Sequence, residues 1–293
     1  MSRIGVIGVP GGWSSERLVE AVKKRAGSST LVDPERILLD VEAGRLRFDE
    51  QDASSFDALI VKKLGATYSA HQVDRLKVLA FAYERGLKVF SDPRNILKAF
   101  DRLSCTLALR LGNLPIPPTV ITENAAEAVE AIRRFRSAVL KPIFTSKARG
   151  MELVRHTDDV PRRLADFLAA GNKTLYVQKL IPLPQRDLSV AFLGGSYIAT
   201  YARVREEDCW TTTTHFGGKY ESCEPTDDVL RVAQKAADLF ALDFTCVDVA
   251  EGEEGPLVFE VSPFGGFRGL WKANGIDAAE RYAEYVIGKL AHG

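Results

Sequence analysis

The first third of the chain alternates short apolar runs with amphipathic stretches. Three short runs rich in Val, Ile and Leu are typical of buried strands: residues 4–9, 58–61 and 86–90. Two stretches with apolar side chains at helical spacing predict helices: residues 17–25 and 70–84. Strands that alternate with helices predict a parallel, Rossmann-like sheet, which we assign to an N-terminal domain over residues 1–95. The sequence lacks Gly-x-Gly-x-x-Gly and therefore does not predict a dinucleotide fingerprint.

The remaining two thirds predict a mixture of helices and strands, and the strands of the final third are expected to be mostly antiparallel. Helices are predicted at residues 96–111, 126–136, 159–170, 227–240 and 278–290. Strands are predicted at residues 138–142, 175–179, 188–193, 197–204, 247–249 and 258–262. Gly194-Gly195 predicts a hairpin turn, and residues 144–151 form a polar, basic loop between two strands.

Composition and charge exclude several classes of protein. Apolar residues make up 46% of the 293 residues, which is enough to form packed cores. Lys plus Arg and Asp plus Glu are equal at 39 each, so nothing in the charge favours nucleic acid as the main partner. No apolar run reaches the roughly 18–20 residues of a membrane span. The cysteines lack Cys-x-x-Cys spacing, which favours reduced thiols in a cytoplasmic protein.

Each strand of the last predicted pair contains an acidic residue. Asp248 lies in one strand and Glu260 in the next, with turn residues 252–256 between them. Adjacent antiparallel strands would place the two carboxylates side by side, and Mg²⁺ favours a few carboxylates together with substrate phosphates. The pair therefore indicates a magnesium–nucleotide site. The alternative is that both are solvated carboxylates at strand ends.

An ordered set of short motifs runs through the chain after residue 100. The motifs are Asp101-Arg102-Leu103, Pro115-Ile116-Pro117-Pro118-Thr119, Val139-Leu140-Lys141-Pro142, Tyr176-Val177-Gln178-Lys179-Leu180-Ile181, Asp187-Leu188-Ser189-Val190, His215-Phe216-Gly217-Gly218, Val247-Asp248 and Glu260-Val261-Ser262. In this order and spacing the chain resembles the RimK-like family of the ATP-grasp superfamily over nearly its whole length.

The resemblance implies a fold and an activity. The implied fold is α/β (α+β): an N-terminal Rossmann-like domain over residues 1–95 precedes two ATP-grasp lobes, residues 96–175 and residues 176–293, that sandwich ATP. The implied activity is an ADP-forming ligase that joins a carboxylate to an amine through an acyl phosphate. It would add an amino acid such as glutamate to a peptide, a protein tail or a cofactor. Two alternatives stay open: a small-molecule kinase on the same fold, and a catalytically weakened, regulatory ATP-binding protein.

The resemblance also implies roles for individual residues. Residues expected to bind ATP are Arg102, Lys141, Lys147, Arg149, Gln178, Lys179, Leu180, Ile181, Asp187 and Phe259. Residues expected to bind Mg²⁺, with Mn²⁺ as an alternative ion, are Asp248, Glu260 and Ser262. Arg203 and Arg268 are expected to be catalytic. The expected partners are ATP, an amino acid and a carboxylate acceptor, and a homodimer and a homotetramer both stay open.

The chain departs from the family pattern at several positions. Ser262 stands in place of a metal-binding Asn, and Arg102 in place of a Lys. The threonines at 211–214 replace an Arg and an Asn before His215, and we expect an edge strand or hydroxyl donors for phosphate there. His215 is expected either to contact substrate or to be a structural histidine. Arg268 is expected either to bind an acceptor carboxylate or to form a surface ion pair.

The glycine turn near the N-terminus leaves two readings open. Gly11-Gly12 at a helix start is expected to be either a tight turn or an anion site. The neighbouring Trp13 is expected either to pack on the core or to border the substrate pocket.

Overall fold

The amino-terminal part of the chain forms a parallel sheet covered by helices. The computed structural model describes residues 2–206, 210–212 and 217–292. Its first elements are β1 (Ile4–Ile7), α1 (Trp13–Ala26), β2 (Ser29–Val32), β3 (Ile37–Asp40), β4 (Arg45–Phe48), β5 (Gln51–Asp52), β6 (Ala58–Val61), α2 (His71–Glu84) and β7 (Val89–Phe90). The strands run parallel in the order β2-β1-β6-β7. This confirms the predicted Rossmann-like sheet, and the order of the strands reverses between β1 and β6.

Helix α1 begins earlier than its pattern predicts. The helix starts at Trp13 rather than at Arg17, and its N-cap is Gly12, which has no side chain to accept a capping hydrogen bond. Ser15 is buried instead, and its hydroxyl accepts a hydrogen bond from the Val9 N–H at 3.2 Å. The Gly11 N–H donates to Glu16 Oε1 at 3.0 Å, so this turn binds the chain's own carboxylate.

A small antiparallel sheet of strands β3, β4 and β5 lies beside the parallel one and was not predicted. In β4, Leu46 and Phe48 are buried while Arg45 and Arg47 alternate with them. A strand of four residues that alternates arginines with apolar side chains is too short for its alternation to be distinguished from the sequence of a loop.

The middle of the chain forms an antiparallel sheet with helices on one face. Its elements are α3 (Pro93–Phe100), α4 (Arg102–Leu111), β8 (Thr119–Thr122), α5 (Ala125–Phe135), β9 (Ser137–Leu140), β10 (Glu152–Arg155), α6 (Val160–Ala169) and β11 (Leu175–Lys179). The strand order is β10-β9-β11-β8. Ile132 of α5 and Phe167 of α6 pack with Val177 of the sheet in one core cluster.

The single helix predicted for residues 96–111 is wrong, because Asp101 divides it in two. Asp101 is extended and is the N-cap of α4. Its carboxylate accepts hydrogen bonds from the Ser104 N–H at 2.8 Å and from the Ser104 hydroxyl at 2.7 Å. A side chain that satisfies the first free N–H groups of a helix stabilises a helix start at that residue.

The last third forms a five-stranded antiparallel sheet in the order β14-β13-β12-β15-β16. Its elements are β12 (Arg186–Leu193), β13 (Ser196–Val204), β14 (Lys219–Ser222), α7 (Asp227–Phe240), β15 (Phe244–Gly252), β16 (Gly255–Ser262), α8 (Phe267–Asn274) and α9 (Ala278–His292). Helix α8 is not among the elements predicted from the sequence. Gly266 is its N-cap.

Side chains on the two faces of this sheet differ in polarity, as the alternation of a strand requires. One face packs against α7 and is apolar; it includes Leu188, Val190, Val247 and Val261. The other face carries the polar residues of the same strands: Asp187, Ser189, Arg203, Asp248 and Glu260. The polar face turns toward the middle sheet, and the space between them is the candidate site.

Packing joins the three parts of the chain. Leu59, Phe100 and Val190, one from each predicted domain, belong to a single buried cluster. The division at residues 95 and 175 stays a prediction. None of the helices described is both long enough and apolar enough to cross a bilayer.

Candidate nucleotide and substrate site

A cavity of about 320 Å³ lies between the middle sheet and the polar face of the five-stranded sheet. This volume is in the range of small-molecule sites, which span roughly 300–1,000 Å³. Among the residues that line it are Arg102, Lys141, Lys147, Gln178, Lys179, Leu180, Ile181, Asp187, Arg203, Asp248, Phe259, Glu260 and Ser262. All of the residues predicted for the site are therefore brought together except Arg149 and Arg268.

Asp248 and Glu260 face each other across β15 and β16. They are direct partners in the antiparallel register, as the sequence predicted. Ser262 lies two residues beyond Glu260 and therefore projects from the same face of β16. Two carboxylates and a hydroxyl are hard oxygen donors, and Mg²⁺ takes one or two carboxylates and completes its shell with water and phosphate oxygens. The residues present therefore fit a magnesium ion that is shared with a nucleotide.

The donor set is small. Within the described ranges, no group of three or more His, Cys, Asp or Glu side chains converges on one point. A cation held by Asp248 and Glu260 would therefore depend on a bound phosphate for its remaining ligands. This is the arrangement expected of a metal that arrives with its nucleotide.

Arg203 lies on the polar face of the five-stranded sheet and forms ion pairs with two carboxylates there. Its Nη2 lies 2.8 Å from Asp248 Oδ2, and its guanidinium also forms an ion pair and two hydrogen bonds with Asp187. Ser189 completes the cluster by donating its hydroxyl to Asp248 Oδ1 at 2.9 Å. Burial raises the pKa of Asp248 to about 6, and Arg203 acts in the opposite direction. Both carboxylates share one guanidinium, so the cluster carries net negative charge when both are ionised.

Glu260 is more open than Asp248. Its side chain is 41% exposed, against 16% for Asp248. The nearest cation is Arg102, whose Nη1 lies 3.9 Å from Glu260 Oε2. Arg102 Nε donates to the Pro142 carbonyl at 3.1 Å, which fixes the side chain across the cavity. Glu260 is therefore free to bind a cation without losing a close ion pair.

Lys141 follows β9 and points into the cavity. Its Nζ donates to Gln178 Oε1 and lies 5.3 Å from the centre of the Phe259 ring. Burial lowers the pKa of Lys141 to about 7, with a smaller contribution from the nearby Arg102. An ammonium kept this far from water would be stabilised by phosphate oxygens.

The hydrogen bonds that hold the Gln178 side chain were not predicted from the sequence. Its amide nitrogen donates to Thr119 Oγ1 at 3.0 Å and to the Tyr176 hydroxyl at 3.2 Å. The Tyr176 hydroxyl in turn lies 2.7 Å from Thr106 Oγ1. This chain of bonds orients the Gln178 oxygen toward Lys141.

The end of β11 offers a backbone edge. The Lys179 N–H donates to the Pro118 carbonyl at 2.8 Å, and the Leu180 N–H donates to the Ser137 carbonyl at 3.0 Å. In a hydrogen-bonded antiparallel pair, each residue normally donates its N–H to the carbonyl of the other. Pro118 has no N–H to donate to the Lys179 carbonyl. The Lys179 carbonyl is thus left as an acceptor at the cavity, beside residues that the resemblance assigns to ATP binding. The N–H groups of Lys179 and Leu180 are used by the sheet.

Of the two residues of the basic loop that were predicted to bind ATP, one lines the cavity and the other does not. Lys147, Ala148 and Gly150 have positive φ angles of 58°, 56° and 66°, which curl the loop tightly. Lys147 lines the cavity. Arg149 instead donates to the Ser146 carbonyl at 3.3 Å and is exposed outside the lining.

Arg268 also lies outside the lining, in the first turn of α8. Its guanidinium carbon lies 5.2 Å from the centre of the Trp13 ring. Trp13 is partly buried, packs against the core cluster that contains Leu18 and Leu270, and is not among the lining residues, which confirms the packing interpretation of this tryptophan.

Two expectations concern segments that the structure describes only in part. Thr211 and Thr212 are not in a strand, so the expected edge strand is absent from these two residues. The other two threonines and His215 lie outside the described residues.

Comparison with known proteins supports one family. A model of the RimK-like ATP-grasp domain matches residues 99–286. The tetrahydromethanopterin:alpha-L-glutamate ligase of Methanocaldococcus jannaschii is 28% identical over 292 residues, which cover 97% of this chain and 98% of the relative.

Solved structures share the fold over the full chain. The RimK domain protein ATP-grasp of Sphaerobacter thermophilus superposes with a TM-score of 0.77 at 19% identity and covers 97% of this chain and 99% of its own. The ATP-grasp ligase PsnB, solved with minimal precursor, Mg and ADP, gives a TM-score of 0.73 at 20% identity, with coverages of 98% and 97%.

Proposed function

The chain belongs to the RimK-like ATP-grasp family, and we propose that it is an ADP-forming ligase that joins the amine of L-glutamate to a carboxylate acceptor. The observation that carries the proposal is the opposed pair Asp248 and Glu260, which faces a cavity also lined by Lys141, Arg102 and Arg203. The similarity to a tetrahydromethanopterin:alpha-L-glutamate ligase over nearly the whole chain supports glutamate as the amine.

The proposed reaction has two steps. The acceptor carboxylate attacks the γ-phosphorus of ATP, and the bond to the bridging oxygen of ADP breaks, giving an acyl phosphate. The amine of glutamate then attacks the acyl carbon, phosphate leaves, and one proton is released from nitrogen. Both steps need positioning and exclusion of water, because an acyl phosphate hydrolyses readily.

The cationic side chains of the cavity have separate tasks in this scheme. Lys141, on the middle sheet, binds phosphate oxygens of ATP. Arg203, fixed by Asp187 and Asp248 on the opposite wall, stabilises negative charge on the transferred phosphoryl group. Mg²⁺, with Mn²⁺ as an alternative, would be held by Asp248, Glu260 and Ser262 and would neutralise phosphate charge.

The acceptor class remains part of the proposal. A peptide, a protein tail and a cofactor all present a terminal carboxylate, and the archaeal relative acts on tetrahydromethanopterin by its name. The proposal places the enzyme in the cytoplasm, with homodimer and homotetramer as the assemblies to distinguish by mass. Two other readings, a small-molecule kinase and a regulatory ATP-binding protein, are not favoured, because the relative and the solved ligase PsnB to which this chain is similar over nearly its whole length are both ligases by name.

A phosphate-release screen tests the proposal. Purified protein receives ATP, Mg²⁺ and L-glutamate together with one candidate carboxylate at a time, from peptides ending in glutamate to tetrahydromethanopterin. The expected result is phosphate release that requires both the acid and glutamate, with an amide product seen by mass spectrometry. A protein that binds ATP and releases no phosphate with any pair, or that yields a phosphorylated alcohol, would contradict it.

A further inference from the structure

A second candidate subsite lies at the edge of the parallel sheet. Strand order reverses between β1 and β6, and ligands of open α/β sheets bind outside the carboxyl ends of strands at such a point. Lys62 and Lys63 follow β6 there, and the N–H groups of both donate to the Ile7 carbonyl at the end of β1, at 2.8 and 3.1 Å. Trp13 begins the helix that follows β1. Lys63 and Trp13 thus both lie at the carboxyl ends of the two strands that flank this crevice.

Lys62 connects this edge to the carboxyl-terminal sheet. It is 2% exposed, and its Nζ donates to the carbonyls of Phe264 and Gly265, the latter at 3.3 Å. The same atom lies 3.8 Å from the centre of the Phe267 ring. These contacts hold the loop that leads from Ser262 into α8 against the end of β6. Arg268, the second residue of α8, is thereby brought to the crevice.

Four positive side chains meet at this place. Burial lowers the pKa of Lys63, and three nearby cations lower it further: Lys147, Arg149 and Arg268. Across the described ranges, none of these four cations forms an ion pair with a carboxylate. Like charges gathered without a counter-ion repel each other and are stabilised by a bound anion.

Aromatic stacking prepares Arg268 for such an anion. Trp13 lies between two guanidinium groups, with Arg268 at 5.2 Å and Arg17 at 5.7 Å from its ring centre. Arg17 is neutralised by Asp277 at 2.6 Å and also covers the Trp271 ring at 4.2 Å. Among the residues that the structure describes, Arg268 has the ring but no carboxylate as an ion-pair partner, so its hydrogen-bond donors stay available to a bound anion.

The crevice continues into the nucleotide cavity. Gly265 and Gly266, which precede α8, line that cavity, and so does Lys147 of the basic loop. An elongated molecule could therefore place one end beside Asp248 and Glu260 and the other end beside Lys63. The two ends would contact different sheets of the protein.

We propose that Lys63 and Arg268 bind a second anionic group of the acceptor, so that the acceptor carries its reacting carboxylate and at least one further carboxylate or phosphate. The inference rests on the proposed function, because it names the class of its acceptor. Lys63 supplies a point charge from the parallel sheet, and Arg268 supplies a planar fork from α8. Neutral acceptors would lack this contact and would bind more weakly.

Anion binding to the ADP complex tests the subsite without turnover. The protein saturated with ADP and Mg²⁺ is titrated by calorimetry with tricarballylate, with 3-phosphoglycerate and with acetate. We expect tricarballylate or 3-phosphoglycerate, each of which carries a carboxylate and a further anionic group, to bind more tightly than acetate, and the tighter of the two identifies the second anion as carboxylate or phosphate. Lys63→Met and Arg268→Gln should each weaken the tighter ligand about tenfold, the loss of one charge-assisted hydrogen bond.

The matched control is Lys88→Met. Lys88 is exposed and precedes β7. The substitution Lys88→Met therefore removes the same charge as Lys63→Met, but at the opposite end of the strands of the parallel sheet. The proposal is overturned if Lys63→Met and Lys88→Met bind the anions equally, or if the wild type does not bind them. It is also overturned if Lys63→Met loses affinity for ATP, because the cations would then serve the nucleotide. Absence of phosphate release by the wild type would contradict the ligase proposal and leave the anion titration interpretable.

Discussion

Arg203 and Asp248 form an ion pair at 2.8 Å inside the cavity, across strand β12, which separates their two strands. Asp187, on that middle strand, pairs with the same guanidinium. One arginine therefore neutralises two buried carboxylates, one of which we assign to the metal. The same side chain serves the structure and, in our proposal, the transferred phosphoryl group.

Substitutions of Arg203 should separate these two roles. Arg203→Met leaves Asp187 and Asp248 buried without a cation, which should cost about 3–5 kcal/mol of unfolding free energy. Arg203→Lys keeps the charge but loses the planar fork that reaches both carboxylates. We expect the lysine variant to fold and bind ATP with strongly reduced turnover. Urea unfolding and phosphate release measure the two effects, and full activity of Arg203→Lys would argue against the catalytic assignment.

Lys141 should dominate phosphate binding. Lys141→Met removes a charge-assisted contact with phosphate oxygens while keeping the aliphatic stem, so ATP affinity should fall about tenfold to 100-fold. Calorimetry measures the change. Lys173→Met, which removes an exposed lysine before β11, is the control and should bind ATP normally. Equal affinity in the two variants would remove Lys141 from the nucleotide site.

The pH dependence of ATP binding gives an independent test of Lys141. Burial lowers its pKa to about 7, so the free protein holds a neutral amine above that pH. Bound phosphates favour the ammonium and raise the pKa toward its usual value. ATP binding should therefore take up a proton near pH 8 and none below about pH 6. Calorimetry in buffers of different ionisation enthalpy detects the uptake, which Lys141→Met should lack.

Glu260 should be needed for metal-dependent turnover rather than for folding. Its side chain is half-exposed and its nearest cation is 3.9 Å away, so Glu260→Gln loses little structure. Turnover should fall on the order of 100-fold, since the cation that would neutralise phosphate charge loses one of its two carboxylate ligands. Circular dichroism serves as the folding control. Near-normal Mg²⁺-dependent turnover would show that the carboxylate pair is structural.

Ser262 sets the magnesium requirement in this account. A neutral hydroxyl is a shorter and weaker ligand than an amide oxygen, so Ser262→Asn should lower the Mg²⁺ concentration for half-maximal activity. Ser262→Ala, the matched variant, should raise it. A folded, ATP-binding but inactive Ser262→Asn protein would instead indicate a clash near Pro263 and Phe264. A large gain from a barely active wild type would favour the regulatory reading.

Periodicity predicted most of the elements, and the reasons for the failures are local. The Val- and Ile-rich runs have a clear strand pattern, so the parallel sheet and the β15–β16 pair could be derived, including the register of Asp248 with Glu260. The division at Asp101 had a signal, because Asp inside a helical pattern favours an N-cap. The small sheet had none, since its strands are short and charged.

Side-chain partners that come from distant parts of the chain could not be derived. The resemblance indicates Arg203 as a catalytic residue but says nothing of its partners. The pairing of Arg203 with Asp187 and Asp248 depends on the register of three strands. The contact of Lys62 with Phe264 and Gly265 joins residues about two hundred positions apart. A lysine pair directly after a buried parallel strand was the available signal for the subsite, because strand ends of this kind carry ligands.

The most direct measurement follows labelled oxygen from the acceptor. The acceptor carboxylate identified by the screen is labelled with ¹⁸O at both oxygens and converted with ATP, Mg²⁺ and L-glutamate. Attack of that carboxylate on the γ-phosphorus transfers one labelled oxygen to phosphate and leaves the other in the amide. The account predicts one ¹⁸O in each molecule of released phosphate by mass spectrometry. Phosphate that carries no label would contradict an acyl phosphate and, with it, the assignment of the protein as a carboxylate–amine ligase.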